Sequence, residues 1–154
     1  MNTATDAFKD GYLISTDPAK LDTRAIHRYL SEDSYWAQQI PYDVVQRSLA
    51  NSLCFGLYHE GRQAGFARLV TDKATFAYLA DVFILPEHRG KGLSKWMLSV
   101  IHAHPELQGL RRWMLGTKDA HGLYEQFGWQ PLSEEAKRRL MQLHQPAVYT
   151  NKQG

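Results

Sequence analysis

The residues with the clearest chemical potential are Arg89-Gly90-Lys91-Gly92-Leu93-Ser94, where two cations and two glycines separate an apolar run from an amphipathic one. A loop of this composition at a helix start suits phosphate. The first backbone N–H groups of a helix have no intrahelical acceptor and lie at the positive end of its dipole, so they present donors to an anion. Gly90 and Gly92 remove side chains that would block close approach, while Arg89 and Lys91 add charge that suits a pyrophosphate. The spacings GxxxxGK[ST] and GxGxxG are both missing, which sets aside the two better-known nucleotide loops. Cys54, the single cysteine, falls in an apolar stretch and reads as a buried hydrophobe. His102 and His104 are two residues apart and on different helix faces, so no metal is expected.

A strand must deliver this loop and a helix must follow it. The run 75–85 is rich in aromatic and β-branched residues and reads as a long central strand that ends at Pro86. Across residues 92–104, Leu93, Trp96, Met97, Val100 and Ile101 recur at offsets of three and four, the pattern of a helix packed on a sheet. Upstream, Tyr12–Ser15 reads as a first strand and residues 1–10 as loose. Two helices follow, one from Asp22 to about Ser34 and one from Pro41 to about Asn51. Leu53–His59 and residues 63–71 flank Glu60-Gly61-Arg62 as a hairpin. Downstream come a strand at 112–116, a helix at 120–127 closed by Gly128, and a strand beginning at 129–132. Residues 134–143 have helical propensity, and 147–150 suit a final strand.

Composition sets the frame. A chain of 154 residues fits one domain, 1–154, and surface scaling gives it about 7,900 Å² of folded surface, enough burial to hold a core without staples. A net charge of +2 is too small for a nucleic-acid footprint, so an anionic partner must be bound locally. The start, MNTATDAFKD, lacks a basic and apolar leader, and no apolar run is long enough to span a bilayer; the expectation is a cytoplasmic protein without membrane contact.

At the phosphate loop the sequence resembles the GCN5-related N-acetyltransferase (GNAT) superfamily. That family's signature [RQ]-x-x-G-x-[GA] reads here Arg89-Gly90-Lys91-Gly92-Leu93-Ser94, with Ser94 as the small last residue. A second block, Gly122-Leu123-Tyr124-Glu125-Gln126-Phe127-Gly128-Trp129, is similar to the family's LYxxxGF element, with Trp129 for Phe. The resemblance implies an α/β GNAT (acyl-CoA N-acyltransferase) fold, a mixed and mostly antiparallel central sheet flanked by helices. It implies acetyl-CoA as co-substrate, held at its pantetheine arm by Val82, Phe83 and Ile84 and at its pyrophosphate by the six loop residues. Tyr124 would be the general acid near the sulfur, and Thr117 would contact the cofactor or an ordered water.

The base is open, because several relatives carry Glu at the position of Ala80. Strand alternation turns neighbouring Asp81 away from where that Glu would point, and His121 lies about one helical turn from Tyr124; either is a candidate, directly or through water. Ser34, Tyr35 and Trp36 fall between the first two helices, where the family forms one wall of the acceptor pocket, although a homodimer contact explains exposed aromatics equally well. Glu32 and Asp33 nearby would attract a cationic amine. The activity expected is acetyl transfer to a primary amine of a small molecule. The alternatives are a non-catalytic acyl-CoA sensor and an acetyltransferase acting on protein N-termini or lysines.

Overall fold

The computed structural model describes residues 4–150. Its centre is one sheet in the order β1(Asp6–Lys9)–β2(Tyr12–Ser15)–β3(Leu53–His59)–β4(Arg62–Thr71)–β5(Phe76–Ile84)–β6(Arg112–Leu115). Every neighbouring pair is antiparallel except β5 and β6, which run parallel. The parallel pair requires a crossover, and the helix α3(Leu93–His102) supplies it.

Each face of the sheet is covered for a reason visible in the chain. On one face Leu93, Met97, Leu98 and Ile101 of α3 pack with Ile14, Phe55, Leu57, Leu69 and Leu79, and Tyr124 of the short helix α4(His121–Glu125) joins them. On the other, Ile26 from α1(Thr23–Arg28) and Val45 from α2(Tyr42–Ala50), with Leu30 between them, pack on Phe66 and Phe83. Asp22 caps α1 by accepting from the Ala25 N–H at 3.0 Å. The helix then widens into a π turn over Tyr29–Asp33, which ends where the Ser34 N–H reaches the Tyr29 carbonyl.

The ends of the chain depart from expectation. Residues 6–9 are not loose: they form β1, joined to β2 by the two-residue turn Asp10-Gly11 with both residues at positive φ, the hairpin geometry that an Asp-Gly pair favours. Neither 129–132 nor 147–150 forms a strand. The Trp129 side chain is drawn onto His102 and Trp113 instead, Pro131 removes a ladder donor from the first segment, and the second is turn together with Pro146 before it. Helix α5(Glu134–Arg139) begins on a Ser133 cap and stops at Leu140, short of the expected 143, because it buries no residue that would extend it. Met141 and Leu143 beyond it are 97% and 89% exposed. Among the described residues no helix is long and apolar enough to cross a membrane.

The Trp129 anchor makes stability depend on pH. The indole N–H donates to Nε2 of His102 at 3.0 Å, so that nitrogen must carry a free lone pair and the ring must be neutral. Burial holds the His102 pKa below its ordinary value, and burial does the same to His104. The unfolded chain therefore binds more protons on acidification. This contribution is complete above about pH 6.5 and is lost as pH falls through the depressed folded value. Urea midpoints measured at pH 7.5 and 5.5 are expected to fall on acidification, and His102→Gln to flatten that dependence.

Candidate active site

The site exists because the sheet opens. β6 pairs with β5 only from Phe76 to Leu79, so from Ala80 to Ile84 that edge of β5 has no strand beside it. On its other edge the β4–β5 register slips between Phe66 and Arg68, and Asp81 takes a left-handed backbone with φ of 54°. This bulge overturns the alternation expected from sequence. Arg68 stands opposite Ala80 and its guanidinium meets the Asp81 carboxylate, so Ala80 and Asp81 share a face. Val82 then packs toward α3 and Phe83 toward α1.

The opening leads into a cavity of about 580 Å³. Its floor is Val82, Phe83 and Ile84, one end is the loop with Arg89, Gly90, Gly92, Leu93 and Ser94, and Tyr124 lies on its α4 side. Gly90 and Gly92 have φ of 79° and 72°, and a Cβ at either would meet no atom within 4 Å. Their glycines thus answer a backbone demand and leave open space above the loop. α3 starts directly after Gly92, whose carbonyl accepts from Trp96, so the amides of Leu93, Ser94 and Lys95 precede the first intrahelical bond. These donors face the cavity end and fit a diphosphate.

The two loop cations have other partners. Arg89 donates through Nε to the Ile84 carbonyl at 2.9 Å and through Nη2 to the Tyr29 hydroxyl at 3.2 Å. Lys91 turns away from the cavity: its Nζ lies 3.3 Å from the Tyr12 hydroxyl, which also bonds Nδ1 of His88 at 2.8 Å. Both brace the loop. Their charges stay near it, while its direct donors are main-chain amides.

Of the expected acceptor wall, Tyr35 and Trp36 line the cavity and Ser34 does not. Ser34 is 1% exposed, donating to the Leu30 carbonyl and accepting from the Ala37 N–H, so it closes the turn. Tyr35 meets Trp36 edge-on at 5.0 Å and accepts from the Lys118 N–H at 3.0 Å, which ties the wall to the loop before α4. Tyr29 completes the wall, stacked on Phe83 with centroids 4.0 Å apart. Its helical spacing marked only a core residue. Asp33 and Asp119 also line the cavity, and of these Asp119 carried no sequence signal.

The remaining expected residues separate. Tyr124 is 8% exposed, and burial, then the neighbouring Tyr35, pushes its phenol above the ordinary range. His121, three positions earlier, faces a second cavity of about 360 Å³ bounded by Trp113, Leu115 and Trp129, with Tyr124 between the two. Thr117 lines that second cavity as well, and its hydroxyl accepts from the Ala120 N–H at 3.0 Å ahead of α4. Asp81 is engaged through both oxygens, by Arg68 and by the Trp36 indole, each at 2.8 Å. Cys54 is buried, and burial pushes its thiol up to about 12.

Residues 50–131 match the family model described as an acetyltransferase (GNAT) domain. The chain belongs to the GNAT acetyltransferase family. A GNAT-family protein from Xanthomonas campestris pv. campestris has a crystal structure 51% identical in sequence, with TM-score 0.87, covering 90% of this chain and 96% of that one. A Gibberella zeae relative named as a putative acetyltransferase is 42% identical over 135 residues, 73% of this chain and 75% of that protein. A GNAT acetyltransferase from Elizabethkingia anophelis, solved with acetyl-CoA bound, shares the fold at 12% identity and TM-score 0.60, covering 81% of this chain and 80% of that one. The GNAT family assignment makes this chain an acyltransferase of the N-acetyltransferase type.

A side chain at Gly92 would force the loop out of its left-handed turn and enter the space before the amides. Gly92→Val is expected to weaken CoA affinity by about tenfold or more, as read by calorimetry, while the thermal transition stays cooperative.

Proposed function

We propose that the protein transfers the acetyl group of acetyl-CoA to a primary amine of a small molecule by direct attack. One observation carries this reading: the gap between β5 and β6 joins a row of free helix-start amides at one end to Tyr124 and an aromatic wall at the other. When bound, acetyl-CoA supplies an activated acetyl thioester. The amides of Leu93, Ser94 and Lys95 would hold its diphosphate, and the free edge of β5 over Val82, Phe83 and Ile84 would pair with the amides of its arm.

Tyr124 is the residue suited to protonate the departing sulfur. A phenol at its ordinary value near 10 facing a thiol near 8.5 would donate uphill by about 2 kcal/mol, and the raised phenol of Tyr124 widens that gap. Burial raises the Tyr124 phenol, which keeps it in the protonated form that an acid needs. Main-chain donors near Val82 would face the developing oxyanion. Tyr29, Tyr35 and Trp36 suit an amine with a flat or apolar body, and Asp33 beside them suits its charge before deprotonation.

Tyr124→Phe is expected to lower kcat by about 100-fold or more with CoA affinity within twofold of wild type. Thiol release from acetyl-CoA across a panel of arylalkyl and aliphatic amines checks both the acceptor class and catalysis itself. A protein that only senses acyl-CoA would bind it and release no thiol above background with any amine.

A further inference from the structure

We propose that Asp81 is a positioning residue of the acceptor wall, acting through the indole of Trp36 and not as the base that deprotonates the amine. The inference rests on the acceptor reading of the Tyr29–Tyr35–Trp36 wall. It starts from placement: Trp36 lines the cavity and Asp81 does not. The Asp81 side chain is 10% exposed, so an amine in the cavity meets the indole and not the carboxylate.

The carboxylate is held from two sides. Its Oδ2 accepts from Nε of Arg68 at 2.8 Å, and its Oδ1 accepts from Nε1 of Trp36 at 2.8 Å. Arg68 is in turn fixed by a second contact, from Nη1 to the Ser52 hydroxyl at 3.2 Å. The chain Ser52–Arg68–Asp81–Trp36 therefore runs from the start of β3, across β4 and the β5 bulge, to the wall. A base needs a lone pair aimed at the amine. Here the lone pairs engaged are those aimed at a guanidinium and an indole.

Trp36 has need of such a tether. It is 41% exposed, lies between the π turn and α2 where no ladder or helix orders the chain, and its ring neighbours are Tyr35, edge-on at 5.0 Å, and Tyr29, tilted at 6.5 Å. Aromatic edge contacts permit sliding, whereas a charge-assisted hydrogen bond fixes both the distance and the ring plane. The bulge explains how a strand residue reaches it. At φ of 54° the Asp81 side chain leaves the regular alternation and comes to the Arg68 face, where the wall stands. Asn tolerates that backbone and removes the basic carboxylate while keeping one acceptor oxygen for the two donors, Arg68 and Trp36, so its effect on kcat reads basicity.

The test compares Asp81→Asn, Asp81→Ala and Trp36→Phe. Proton exchange at the Trp36 indole N–H is read by NMR, with Trp36→Phe identifying the peak. Acetyl-CoA affinity and steady-state kinetics with 2-phenylethylamine are measured beside it. In Asp81→Ala the indole N–H should exchange about tenfold or more faster and KM for the amine should rise about tenfold, with kcat and acetyl-CoA affinity within about twofold. Asp81→Asn, with one acceptor oxygen for two donors, should fall between wild type and Asp81→Ala in both quantities, with kcat within about twofold of wild type. Trp36→Phe keeps the Asp81–Arg68 pair and should raise KM to the same degree, and adding Asp81→Ala to it should raise KM no further. A 100-fold fall of kcat in Asp81→Asn at unchanged KM would make Asp81 the base. Indole exchange in Asp81→Ala equal to wild type would end the positioning role by itself. If 2-phenylethylamine is not turned over, the small-amine reading fails while indole exchange still decides this one.

Discussion

The rest of the molecule depends on one strand being unable to satisfy both of its neighbours along its whole length. β5 is paired on both sides at its start, slips register against β4 at Asp81, and loses β6 after Leu79. A parallel pair that continued to Ile84 would close the sheet and leave no cavity. The bulge and the splay fall at almost the same level of the strand, so main-chain groups released on one edge face an opening and not a neighbour. Helix α3, which carries the crossover to β6, and helix α4, which follows β6, both border that opening. The cavity is thus a property of pairing, and the side chains decorate it.

The phosphate loop shows a division of labour. Its cations are engaged in holding its shape: Arg89 clamps the end of β5 to Tyr29, and Lys91 joins Tyr12 and His88 on the outer side. In the proposed reading, anion recognition falls to amides that precede the first helical hydrogen bond, whose direction is fixed by the helix itself. A rigid donor set of this sort costs little further ordering when a ligand arrives. Arg89 still lines the cavity end, whereas Lys91 lies outside it.

How far the chain could be read in advance follows from where each feature is determined. The loop was legible because glycine at positions of positive φ and cations at a helix start are local demands. Helices α1, α2 and α3 and the β3–β4 hairpin were legible through periodicity and turn residues. The partners of Arg89 and Lys91 were not, because Tyr29 and Tyr12 lie 60 and 79 residues away along the chain. The Asp81 bulge was invisible for the same reason: it arises from the match between two strands, whereas alternation is a rule for one. β1 was the reverse case, since the Asp10-Gly11 turn was present to be read and the polar look of residues 6–9 outweighed it. The missing strands after β6 reflect competition, with Trp129 gaining more from an aromatic cluster with His102 and Trp113 than its backbone would gain from a ladder.

The environment of Cys54 bears on the kinetic order of the reaction. It is the only sulfhydryl in the chain, it lies in β3 in the cluster that includes Val45 of α2 and does not line the cavity, and burial raises its thiol well above neutral pH. The protein has no thiolate on which an acyl group could rest after CoA departs. A cysteine-relayed double displacement finds no support in this placement, which agrees with the direct attack proposed above, where donor and acceptor would occupy the fold together in a ternary complex.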